Sequence, residues 1–335
     1  MLLVNTYTQA VLLSLITMLC WGSWPNTQKL TSKSWRSELF YWDFVWGIVL
    51  MTLLFAFIPG SLGNVGKSFW PDMMQADWAN IISAFIGGII FNLANILFVA
   101  ALAIAGILVT FTIAIGVGLV VGVLINYLAV PIGNEYYLFG GVILIVLAII
   151  LSAIAHKRLS THMAKPSTKG IVLPLIAGIL FGLYYLLIAR SMATDFQFPK
   201  AGKLGPYSAV FCFSIGVLIS TFVFNTILMK KPVEGIPLHS KDYFNGNKRD
   251  HLLGMLGGVI WCTGFMLSIL SAGKAGFTIS FGLGQGNAMI AAIWGNRCME
   301  RISWCTSRNV QISIFYVCLL YSWINPYRFI QKCFN

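Results

Sequence analysis

A few polar and aromatic residues stand where the surrounding chain is apolar. Trp21, Trp24 and Pro25 fall in the run Trp21-Gly22-Ser23-Trp24-Pro25, followed by Asn26, Thr27 and Gln28. Pro25 has no backbone N–H, so it frees a carbonyl and kinks a helix. Two indoles beside a freed carbonyl suit a flat, hydrogen-bonding ligand; an aromatic belt at a membrane interface would use the same residues. Asp43 lies in Phe40-Tyr41-Trp42-Asp43-Phe44-Val45-Trp46, a few residues inside an apolar segment. The other nine carboxylates fall in connectors or at segment ends. Desolvation favours the neutral acid, which lets a buried carboxylate exchange a proton near neutral pH. Asp43 is therefore the candidate for proton coupling. The plainer alternative is a headgroup-level Asp paired with a nearby Lys or Arg.

Asn92 and Asn95 sit mid-segment, as do Tyr184 and Tyr185, and Asn126 and Tyr127 come late in theirs. Gln285 and Asn287 belong to Gly282-Leu283-Gly284-Gln285-Gly286-Asn287, where alternate glycines allow close backbone approach or an unwound turn. Hydrogen bonds between helices would explain the same amides. The expected substrate-binding set is Trp21, Trp24, Asn92, Asn95, Tyr184, Gln285 and Asn287. No Walker loop, HExxH or GxSxG is present. His156, His162, His239 and His251 lie in connectors or at segment ends and cluster with nothing in sequence. No catalytic residue, metal site or cofactor is expected, and the lack of an ATP site argues against a primary pump.

These residues must be positioned inside a membrane. Of 335 residues, 58% are hydrophobic and 10% charged, whereas a soluble domain carries about 25% charge. That much apolar surface cannot be hidden in one core. The net charge of +12 suggests nucleic acid less than loops that set topology and meet anionic lipid. The seven cysteines are odd in number and show no paired spacing, so no disulfide framework is read. The first apolar segment lacks a basic leader and reads as a retained helix rather than a signal peptide.

One stretch occurs twice. Shifted by 170 positions, residues 87–118 fall on 257–288 without a gap, with eight identities in 32 positions. Gly87, Gly88, Ala105, Gly106 and Phe111 meet Gly257, Gly258, Ala275, Gly276 and Phe281. A weaker echo at a shift of 160 pairs Leu15, Ile16 and Gly22 with Leu175, Ile176 and Gly182. Each longer copy reads as two apolar helices joined at Ala-Gly. At about 20 apolar residues per span, ten segments are predicted: 8–28, 40–58, 80–102, 107–130, 137–156, 170–190, 207–229, 251–272, 276–296 and 309–325.

The expected fold is an all-α membrane protein of ten transmembrane helices, two inverted five-helix repeats. Residues 1–156 and 170–335 form the repeats and 157–169 the connector. Five spans per half force opposite entry into the membrane, which places a binding site between the halves near the midplane. Fifteen of the 22 Lys and Arg residues lie on the side of the loops after segments 1, 3, 5, 7 and 9. That side, with 157–169, is expected in the cytoplasm and both termini outside.

The Trp21–Pro25 motif, the Tyr41-Trp42-Asp43 run, Gly87-Gly88 with Asn95, the tract Leu124-Ile125-Asn126-Tyr127-Leu128 and the run from Gly257 through Gly276 resemble bacterial relatives of the ureide permease family. That family belongs to the drug/metabolite transporter superfamily, beside the glucose/ribose porters and the rhamnose–proton symporter. The resemblance spans residues 8 to about 295. It implies a ten-helix inverted-repeat carrier; plant members move allantoin, related ureides or nucleobases with protons. The substrate does not transfer with the resemblance. The short connector 157–169 departs from the long cytosolic insert of plant members. After Gly295 the resemblance fails. One back-translation of Cys298–Cys305, shifted by a nucleotide, restores the tract that relatives carry, so a frameshift is a hypothesis that resequencing the gene tests.

The expected function is a secondary active transporter in the plasma membrane, taking up a small polar metabolite (sugar, ureide or nucleobase-like) with protons. An exporter of metabolites or drugs with the same fold is the alternative, and a membrane-embedded enzyme is a weaker one. Expected partners are the small-molecule substrate, protons and membrane lipid, with no nucleic acid and with a homodimer left open.

Overall fold

The computed structural model describes residues 1–63, 65–129 and 167–287, and the short stretches 136, 139–144, 146–147, 290–291 and 294. The described residues are helical throughout, without a β-strand; only two isolated bridges, Ala76 with Gly202 and Met192 with Leu204, tie loops together. The expected tenth segment 309–325, the connector up to residue 166, most of 137–156 and the atypical tail lie outside the described residues.

The first segment is two helices rather than one. The first, α1 (Tyr7–Ser23), starts at a capping box in which Thr6 accepts from Gln9 N–H and the Gln9 side chain reaches back. It ends where Pro25 opens α2 (Pro25–Leu30), since proline cannot supply the next N–H of the ladder. The second segment is α3 (Ser37–Phe57), followed by the short α4 (Phe69–Gln75). A continuous run, Trp78–Ala129, bends at Gly106 into α5 (Trp78–Gly106) and α6 (Val109–Ile125). The second half repeats the order with α7 (Thr168–Ser191), α8 (Pro206–Lys230), the short α9 (Ser240–Phe244), α10 (Lys248–Ala275) and α11 (Phe277–Gly284). Among the described residues α3, α5, α7, α8 and α10 are long and apolar enough to cross a membrane.

These helices invert the pattern of a water-soluble protein. Leu50, Leu54 and Phe57 of α3 and Phe222, Val223 and Ile227 of α8 are exposed, while Thr52, Ser220 and Thr221 are buried. Lipid rewards the first group. The second satisfies itself: Thr52 and Thr221 donate to the carbonyls of Ile48 and Val217, each four residues back. Ser271 of α10 meets Ser14 of α1 at 2.7 Å and Ser280 of α11 at 3.0 Å, a buried polar seam.

The duplicated stretch reappears as duplicated geometry. Gly106 and Gly276 form the two Ala-Gly turns with φ of 76° and 83°, a region where glycine carries no Cβ penalty. Gly88 of α5 lies so close to the Phe213 carbonyl of α8 that a Cβ has no room, and Gly258 of α10 meets the Phe44 carbonyl of α3 in the same way. Gly216 and Gly47 return the contact to Phe85 and Met255. Each half thus packs its third long helix on the other half's second.

Candidate functional site

A cavity opens among α1, α5, α6, α7, α10 and the end of α11. It is lined by Trp21, Trp24, Phe91, Asn95, Phe98, Phe111, Ile115, Phe181, Tyr184, Trp261, Gln285 and Asn287, and its volume is about 40 Å³. Six of the seven sequence-predicted binding residues line it; Asn92 does not.

Aromatic rings shape most of the wall. Trp21 stacks on Trp261 with ring centroids 6.3 Å apart and 13° between planes, and its Nε1 donates to the Trp261 carbonyl at 3.3 Å. Added Cβ atoms on Gly264 and Gly284 would strike the Trp21 ring at 2.9 and 2.8 Å, so two glycines make its slot. Phe91 lies 4.3 Å from Trp261 and 5.2 Å from Tyr184. Trp24 packs on Phe44 at 4.7 Å and on Phe98 at 6.3 Å. Trp21 and Trp24 are each under 5% exposed, which removes the interfacial-belt reading for both.

Three amides break the apolar wall. Asn95 donates to the Tyr41 hydroxyl at 3.3 Å. Gln285 caps α11, where the helix unwinds into a turn through Gly286. Asn287 keeps a buried Oδ1 without a hydrogen-bond partner among the described residues. Such an orphan costs about 1–3 kcal/mol, and a ligand N–H or O–H would relieve it. Among the described residues that line the cavity, none carries a carboxylate or an ammonium group. Stacking and amide hydrogen bonds are the means of recognition it offers, which suits an uncharged polar ligand.

Asn92 lies behind the cavity wall. Its Oδ1 accepts from Tyr41 at 2.8 Å and from Thr221 at 3.2 Å, and its Nδ2 donates to Ser220 at 2.7 Å. This network joins α3, α5 and α8 and reaches the cavity through Asn95.

Reasoning from sequence missed Trp261 and the phenylalanines, yet the sequence shifts point to Trp261, Phe91 and Phe181. Phe91 and Trp261 are partners at the shift of 170, and so are Ile115 and Gln285. At the shift of 160 Trp21 meets Phe181 and Trp24 meets Tyr184. All eight line the cavity. The missing signal was position within the repeat, not residue type.

Asp43 stands apart from the cavity, at the α3–α10 crossing. It is 2% exposed. Its Oδ1 accepts from Tyr243 of α9 at 2.7 Å and lies 2.9 Å from Nδ1 of His251 on the first turn of α10. Its Oδ2 is buried without a hydrogen-bond partner among the described residues. This corrects two expectations. His251 does cluster, because α10 folds back onto α3 across more than 200 residues of sequence. The partner of Asp43 is His251 with Tyr243, not Lys or Arg. Burial, and then the Asp43 carboxylate beside it, push the Tyr243 phenol above its usual range. Trp35 closes the cluster, edge-on to His251 at 4.7 Å. Asp43 is also not the sole buried carboxylate: Glu38, Asp72 and Asp250 are under 5% exposed. Arg36 pairs with Glu38; Asp72 accepts from Gly205 N–H at 2.7 Å; Ser32 donates through N–H and Oγ to Asp250 at 2.9 and 2.6 Å.

A family model described as sugar transport protein matches residues 12–315. The chain belongs to the sugar transport protein family. The match continues past Gly295, further than the resemblance was expected to reach. The chain is also similar to Ureide permease 1 of Arabidopsis thaliana, 25% identical over 357 aligned positions that cover 88% of this chain and 90% of the relative. Ureide permease 2 of the same plant is 23% identical with the same coverage, and Probable ureide permease A3 of Vigna unguiculata is 22% identical over 76% of this chain and 86% of its own. The expected ureide permease resemblance is therefore found. These relatives are permeases rather than enzymes. Together with the apolar helices, family membership makes the chain a multi-pass membrane transporter of small metabolites.

Proposed function

We propose that this protein is a proton-coupled uptake carrier for a small, uncharged polar metabolite bound in the aromatic cavity, with Asp43 as the proton site. The carrying observation is that Trp21, Trp24, Asn95, Tyr184, Gln285 and Asn287 line one cavity contributed by both halves. The names of the relatives set the substrate classes to test first: ureides and sugars, with nucleobases as planar neighbours of the ureides.

The reciprocal glycine contacts and paired turns support two inverted five-helix repeats, 1–156 and 170–335, as the underlying architecture. The end that holds Arg36, α9 and His251 belongs to the Lys- and Arg-rich side and is read as cytoplasmic in the plasma membrane, with the termini outside. Pro25, at the junction of α1 and α2 beside the cavity-lining Trp24, is the proposed kink.

The experiment is uptake of labelled allantoin, glucose and uracil into proteoliposomes with an imposed pH gradient. Accumulation of at least one, driven by the gradient and lost when it is collapsed, is the expected result. Flux that is indifferent to the gradient rejects proton coupling; no flux of any probe in either direction counts against this cavity as their site.

A further inference from the structure

Asp43 is nearly sealed, and what seals it is specific. Its side chain is 3% exposed, while that of His251 is 25% exposed and touches it. Cβ and Oδ2 of Asp43 occupy the space a side chain on Gly254 would take, so α10 closes over the carboxylate from one side. Tyr243 covers it from α9. On the far side of the imidazole, Nε2 faces Gly246 of the loop before α10, where an added Cβ would fall 2.7 Å from it; only glycine leaves room beside that nitrogen, and the side chain as a whole keeps its 25% exposure. The imidazole therefore has one nitrogen on the buried carboxylate and the other toward the loop end of the molecule.

Among the described residues, the titratable groups facing Asp43 are His251, Tyr243 and Asp250. Tyr243 donates its proton to Oδ1, and Asp250 is occupied by Ser32 and Asn247. That leaves His251 as the group able to pass a proton between Asp43 and water.

We propose that His251 is the proton relay of Asp43, an assignment that rests on the reading of Asp43 as the proton site. In discharge, the O–H bond at Asp43 Oδ1 breaks as an N–H bond forms at His251 Nδ1, and the proton on Nε2 leaves to water. The product is a carboxylate accepting from Nδ1–H and from Tyr243; the 2.9 and 2.7 Å separations are hydrogen-bond distances before and after the transfer alike. Charging is the reverse. Trp35 and Tyr243 hold the ring plane, packing edge-on at 4.7 and 4.8 Å, so the imidazole keeps its alignment between transfers.

The test uses the full chain in proteoliposomes and needs no substrate. The infrared carboxyl band of Asp43, identified by its loss in Asp43→Asn, is followed after a pH jump. His251→Ala should slow its relaxation at least about tenfold, since positioned acid–base groups contribute about 10²–10⁴ in rate. Added imidazole should restore the Ala variant. His251→Gln keeps a donor for Oδ1 but cannot relay, so it should fold like wild type and relax as slowly as Ala. A Gln variant at wild-type rate, or an Ala variant deaf to imidazole, overturns the relay while leaving Asp43 as the proton site. A wild-type protein in which no band removed by Asp43→Asn titrates overturns both. Reduced membrane levels of the Ala variant are controlled by the Gln variant.

Discussion

The cavity and the Asp43 cluster differ in how often they were built. The cavity is built twice over: Trp21 and Phe181, Trp24 and Tyr184, Phe91 and Trp261, Ile115 and Gln285 are repeat partners that line the same space. The cluster exists once. The glycine contacts set α3 against α8 in a register of 169, which puts Cys212 where Asp43 would recur, and Ile81 stands opposite His251 at the shift of 170. A cavity shared by two similar halves has no reason to prefer one membrane face. The Asp43 cluster lies at one end and does, and it meets the cavity through Phe44, which follows Asp43 and packs on Trp24 and Trp261.

If the two regions divide binding from proton coupling, variants should separate them. The largest effect belongs to Asp43→Asn, which keeps size and hydrogen bonding but cannot titrate. It should abolish uphill, pH-driven accumulation while substrate counterflow persists, and Asp43→Glu should retain some coupling. If instead Asp43 is a structural partner, the amount of folded protein falls and coupling per molecule is unchanged; measuring both separates the cases. Next comes Trp261→Ala, which removes a central anchor of the cavity and should raise the substrate concentration for half-maximal counterflow about 30-fold, the scale of a buried aromatic hot spot. Its pH dependence should stay that of wild type. A shifted pH profile in this variant would merge the two regions.

Two neighbouring amides sharpen the boundary. Asn95→Ala should weaken substrate binding about tenfold, the worth of a hydrogen bond in a dry site. Asn92→Ala should leave affinity alone and destabilise the protein by about 2 kcal/mol, because Tyr41, Ser220 and Thr221 lose a shared buried partner. Thermal unfolding and equilibrium binding on the same samples distinguish them. The smallest effect is alkaline. The Tyr243 phenol is held protonated in the fold, so above about pH 10, the ordinary tyrosine value, the unfolded chain binds fewer protons than the folded one and stability falls as pH rises. Tyr243→Phe should flatten that slope in thermal unfolding followed across alkaline pH.

The paired Ala-Gly turns, the order of the described helices and most of the polar residues lining the cavity were legible because lipid makes each interior polar group conspicuous. Trp21 and Gln285 are unusual residues in apolar tracts, and they were found. Phe91, Phe98 and Phe181 are not unusual there, and composition alone cannot distinguish a phenylalanine in a cavity wall from one facing lipid. Asn92 was read as a ligand group because nothing local announces that Tyr41 and Thr221 will meet it. His251 was dismissed for a related reason: its partner is set by where α10 crosses α3, a long-range contact with no trace in its neighbours. The break at Trp24 was readable from Pro25, since the missing N–H is a local fact.

The crossed glycines have a consequence for ancestry. Gly88 and Gly258 each press against a helix of the opposite half, and Gly47 and Gly216 answer them. Neither half closes its own notch. A half-length forebear made of one such unit would have left a bare backbone groove open to lipid, and a second copy of itself is the shape that fills it. Were two such copies fused into one chain, the pairing would become permanent and each copy free to diverge, the condition under which one half would carry an acid, Asp43, and the other a thiol, Cys212, at the matching place.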